Sequence, residues 1–77
     1  MAVTVEGEKQ LRWCADRALL EYGDGEGAQA AINSVLSDFT KSEITAKINP
    51  MVTLMVISDA ATKGRDKLES AIMGFNI

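Results

Sequence analysis

Asn49-Pro50-Met51-Val52-Thr53-Leu54-Met55-Val56-Ile57-Ser58 is the stretch that decides how the rest of the chain must be arranged. Asparagine is a favoured N-cap, and proline suits the first helical position, where its missing N–H would have no partner anyway. The pair predicts a helix from Met51 to about Ser58. Around that helix Met51, Val52, Leu54, Met55, Val56 and Ile57 leave only Thr53 for water. A segment apolar on nearly every side has to be wrapped by the other helices or by a second copy of the chain. It is far short of the ~20 apolar residues that cross a bilayer, so no membrane span is expected.

Upstream, two amphipathic helices are expected to do the wrapping. Leu11, Cys14, Ala15, Ala18, Leu19 and Tyr22 recur at the spacing of one helix face. Ala28, Ala31, Ile32, Val35, Leu36 and Phe39 repeat the pattern more cleanly, with Gln29, Asn33, Ser37 and Asp38 off the stripe. Between them Gly23-Asp24-Gly25-Glu26-Gly27 reads as a turn, because glycine costs too much backbone entropy inside a helix. Asp24 is placed to cap the second helix and Glu26 to sit in its first turn, near the positive end of the dipole. The result is an antiparallel hairpin whose alanines let the two axes approach closely. Residues 1 to 7 read as a lead-in, with Gly7 too early to matter to a helix.

Downstream of Phe39, Thr40 to Lys47 reads as a connection with room for a helical turn. Ser58-Asp59 and Gly64 both offer breaks after the apolar helix. A last helix is expected from about Arg65 to Met73, with Leu68, Ala71 and Ile72 on one face. The competing reading is one helix from Pro50 to Met73 that tolerates Gly64 at a cost of about 1 kcal/mol.

Composition narrows the function. The chain has 77 residues, no histidine and one cysteine, with a net charge of −3. One small domain fits that length. Without histidine there is no imidazole base or ligand, and a lone Cys14 excludes an internal disulfide and a cysteine-cluster zinc site. No catalytic residue, metal ligand or cofactor site is therefore assigned, and an enzyme is not expected. Cys14 lies in the apolar stripe, which suits a buried thiol. No basic, apolar leader opens the sequence, so a cytoplasmic location is expected. Residues 1 to 40 carry seven acids and three bases, whereas residues 41 to 77 carry four acids and five bases.

Two groups of side chains stand out as candidate contact residues. Trp13, Arg17 and Leu20 share one shoulder of the first helix, and Trp and Arg dominate interaction hot spots. The alternative is that Trp13 merely widens the buried face. Lys63, Arg65 and Lys67 form the one basic concentration, a candidate phosphate contact diluted by Asp66 and Glu69. Asp38 and Lys41 read as a solvated pair at a helix end.

Three segments carry a family likeness. They are Leu11-Arg12-Trp13-Cys14-Ala15-Asp16-Arg17-Ala18-Leu19 with Glu21-Tyr22, then Ala31 and Ile32 through Ser34, Leu36, Ser37 and Asp38, and the ending Ile72, Gly74-Phe75-Asn76. The chain resembles a family of small bacteriophage and prophage proteins in these positions. It departs from the family pattern in its longer glycine turn, in Ala30, and in a loop after Asp38 that lacks proline. The resemblance implies an accessory gene product acting in the cytoplasm of an infected bacterium. It adds Ser34, Ser37 and Asp38 as candidate protein contacts.

The expectation is thus an all-α, compact bundle of three to four short helices over residues 1–77, with an N-terminal hairpin and a central apolar helix. A chain this short buries only ~60% of its unfolded surface, so a homodimer is expected in preference to a self-contained monomer. Function is expected to be binding and modulation of a host protein, with a dimeric nucleic-acid-associated regulator as the alternative.

Overall fold

Thr4 opens the first helix by accepting the backbone N–H of Gly7 on its side-chain oxygen at 2.9 Å. The computed structural model describes residues 4–75. Helix α1 runs over Val5–Tyr22, α2 over Ala28–Phe39, α3 over Glu43–Ala46, α4 over Pro50–Lys63 and α5 over Arg65–Met73. The expected lead-in is therefore largely helix, with Gly7 buried in its first turn. Residues 1–3 of that lead-in, and Asn76 of the Gly-Phe-Asn ending, lie outside the described residues.

The hairpin forms as its periodicity predicts. All six stripe residues of α1 are buried, together with Ala31, Ile32, Val35 and Phe39 of α2. The turn works differently from the expectation. Gly27, not Asp24, is the N-cap residue of α2, it has no side-chain hydrogen bond, and Glu26 precedes the helix. Backbone does the closing instead: the N–H groups of Gly25 and Gly27 both donate to the Tyr22 carbonyl, at 2.9 and 3.2 Å. The chain doubles back so tightly that a Cβ at Gly27 would run into the Glu21 carbonyl.

Asn49 and Pro50 start α4 as expected, with the Asn49 side-chain oxygen accepting the Met51 N–H at 2.8 Å. The helix does not stop at Ser58. It continues to Lys63 and breaks at Gly64, whose φ of 122° and ψ of 174° place it in backbone space open essentially to glycine alone. The two-helix reading of residues 50–73 is thus the correct one. Counting the single turn α3, capped by Ser42, the described residues hold five helices and no strand.

The orientation of α4 overturns the expectation for its face. Its buried residues are Thr53, Ile57, Ala60 and Ala61. Met51 and Met55 are 64% and 68% exposed, and Val52, Leu54 and Val56 lie between 38% and 46%. The cause is the five residues beyond Ser58. Asp59 and Lys63 must face water, and they share a helix face with Val52, Met55 and Val56, one or two turns earlier. The uncharged face that runs the full length is the one bearing Thr53, and it turns inward. Thr53 tolerates burial because its hydroxyl donates to the Asn49 carbonyl at 3.3 Å.

The four longer helices form a ring. α1 packs on α2 and α5, and α4 packs on the same two. α1 and α4 therefore occupy opposite corners, and α4 is peripheral, not central. They meet at their C-terminal ends, where the Tyr22 hydroxyl donates to the Ala61 carbonyl at 2.7 Å. Nearby, the Arg65 guanidinium donates to the Leu19 and Gly23 carbonyls at 3.0 and 3.3 Å. Helix ends leave carbonyls without intrahelical partners, and α1 has no basic residue in its last turn. Arg65, from α5, supplies both the donors and the positive charge that the dipole favours there. At the other end, Phe75 meets Phe39 edge to face with centroids 5.3 Å apart.

Candidate contact surfaces

Trp13 projects from the outer side of α1, 43% exposed, and Leu20 lies further along the same side at 83%. The Arg17 guanidinium sits over the indole, 4.8 Å from the ring centroid, within cation–π range. Arg17 and Trp13 are thus brought into contact, and Trp13 does not join the core. A shallow groove beside the indole is lined by Val5, Glu8, Lys9, Arg12 and Asp16. Val5 was hidden from sequence reasoning because it falls in a segment read as lead-in.

Arg17 is not free to swing. Its Nε donates to Asp38 Oδ2 at 2.7 Å. Asp38 is buried, and it also accepts from Lys41 Nζ at 3.1 Å and from the Ser34 hydroxyl at 3.4 Å. This corrects the reading of Asp38 and Lys41 as a solvated pair, and it removes Asp38 from the set of direct surface contacts. A carboxylate between two cations and a hydroxyl offsets the cost of its own burial. Its work is to hold α2 to α1 and to fix Arg17 over the indole. Ser34 is half-buried within this cluster. Ser37 is exposed, and its backbone carbonyl accepts the Thr40 hydroxyl at 2.7 Å. Ser34, Ser37 and Asp38 therefore lie toward one helix end, in differing degrees of exposure.

The basic residues separate. Arg65 is committed to the carbonyls that end α1. Lys63 pairs with Asp59 at 2.9 Å, and it lines a groove between α4 and α5 with Lys67, Met55 and Ala71. The trio predicted from spacing is consequently not one patch.

Reactive chemistry is sparse. Cys14 is fully buried, and burial pushes its thiol up to about 11, so it carries no appreciable thiolate at neutral pH. Among the described residues no group of His, Cys, Asp and Glu is placed to hold a metal ion. No helix among them is long and apolar enough to cross a membrane.

The surface that sequence reasoning missed is the outer side of α4. The signal was present: Asp59 and Lys63, taken as part of the same helix, fix which of its neighbours face out. No known protein family matches this chain, nor does any curated protein or solved structure resemble it closely enough to count as a match.

Proposed function

We propose that this chain is a non-enzymatic accessory factor that binds and modulates a host protein in the bacterial cytoplasm, with the Trp13 face of α1 as the contact. One observation carries the reading: an aromatic ring kept out of the core and held by Arg17, which is itself anchored on buried Asp38. A ring already fixed in place loses little freedom on binding, which is what makes Trp and Arg effective at the centre of an interface. Leu20 and Val5 extend the apolar area on either side. The likeness to small phage and prophage proteins supplies the expected setting.

Affinity capture from bacterial lysate tests it. The expected result is a specific partner retained by the parent chain and by a Glu26→Gln control, and lost with Trp13→Ala. A partner held equally by Trp13→Ala, or no specific partner, refutes the reading. The nucleic-acid alternative rests on Lys63 and Lys67 alone once Arg65 is committed elsewhere, in a chain of net charge −3. Absence of a gel shift at low salt, where phosphate contacts are strongest, disposes of it.

A further inference from the structure

Between Pro50 and Ser58 the outer side of α4 carries no charged residue. Met51, Val52, Leu54, Met55 and Val56 are all exposed there. Together they present on the order of 500 Å² of apolar side chain, toward the upper end for a patch on a soluble monomer. α2 and α5 flank this helix on its inner side and leave the outer side open to water.

We propose that a second copy of this chain covers the face, α4 lying antiparallel against its counterpart about a two-fold axis near Met55. Area is the first argument. Two such patches fully closed on one another remove at most roughly 1,000 Å² from water, the lower bound for a specific interface. Charge is the second, and it fixes the direction. Asp59 and Lys63 lie only on the C-terminal side of the patch. A parallel pairing would stack each on its like. The antiparallel pairing instead sets Asp59 beside the first turn of the partner's helix, at the positive end of that helix's dipole. The third argument is the thin core, where Ala15, Ala18, Ala31 and Ala61 occupy much of the interior without a disulfide to help. Methionines at the centre of the patch adapt readily to a symmetric partner. The proposal does not rest on the Trp13 reading, because α1 stands at the opposite corner of the ring.

Sedimentation of the full chain tests it. A species of twice 8.3 kDa is expected, dissociating with a constant in the micromolar range or tighter. Met55→Glu places two carboxylates face to face across the axis, and like charges so juxtaposed should weaken the pair at least ~100-fold. At concentrations where the parent chain is itself monomeric, the circular dichroism of the variant should match that of the parent, since Met55 is already exposed within one chain. A second variant guards against misfolding: Met55→Cys should cross-link two chains on oxidation, whereas Leu20→Cys on α1 should not. Trp13→Ala should leave the pair intact. A chain that stays monomeric at every concentration overturns the proposal. So does a dimer that survives Met55→Glu, or one that Trp13→Ala dissociates.

Discussion

Replacing Tyr22 with phenylalanine removes one oxygen and keeps the ring, which makes it the sharpest probe of how the two opposite helices are joined. The hydroxyl is buried and donates to the Ala61 carbonyl at 2.7 Å. That carbonyl belongs to the last turn of α4, where the break at Gly64 ends the intrahelical pattern. Tyr22→Phe leaves a buried acceptor without this donor, and the desolvation penalty of such a group is about 1–3 kcal/mol. Taking ~2 kcal/mol, and about 4–8 °C per kcal/mol for a domain of this size, Tm should fall by roughly 8–16 °C. Thr40→Val is the matched control. It deletes a hydroxyl that also donates to a backbone carbonyl at 2.7 Å, that of Ser37, but in an exposed position where water replaces it. Its cost should stay below about 0.5 kcal/mol. Both are read by thermal and urea denaturation at one fixed protein concentration, so that any association contributes equally. Equal losses for the two variants would refute the argument from burial.

Other outcomes follow from the same contacts. Gly27→Ala forces a methyl into the Glu21 carbonyl and should cost more than ~2 kcal/mol in urea unfolding, because the obstacle is backbone at the end of α1 and not a side chain that can turn away. Asp38→Ala should cost about 2 kcal/mol, short of a fully buried pair because Arg17 and Lys41 keep their heads half in water. It should also change Trp13 fluorescence, since Arg17 loses its anchor. Burial lifts the Cys14 thiol from 9.0 to about 11. Between those values the unfolded chain releases the proton and the folded chain keeps it, so the thiol's contribution is complete below pH 9 and drains away toward pH 11. The alkaline loss of stability should therefore be shallower in Cys14→Ala than in the parent chain.

The hairpin was legible because its stripe residues obey one rule, burial of a single face. So were the Asn49-Pro50 start and the break at Gly64, since each rests on local backbone chemistry. The outward face of α4 was not read, for a physical reason: a helix ended at Ser58 contains no charge and has no phase, and only Asp59 and Lys63 give it one. Asp38 misled in the opposite way. An aspartate four residues after a serine and three before a lysine looks like a wet helix end, and nothing local reveals that Arg17 arrives from α1 to pair with it. Trp13 was the ambiguous case, lying off the stripe by an angle that suits a widened core as well as a surface ring. Its exposure beside Arg17 resolves the ambiguity in favour of a surface ring.

The contacts that close the bundle join residues far apart in the sequence. Tyr22 reaches Ala61, Arg65 reaches back to Leu19, and Arg12 pairs with Glu69 at 2.7 Å across 57 positions. Helix α1 is thus completed by α5, the described helix farthest from it in sequence. A fragment lacking α5 loses the Arg65 donors that end α1 and the Glu69 partner of Arg12, so the bundle should fold as one cooperative unit. Proteases should cut a fragment that lacks α5 far more readily than the intact bundle.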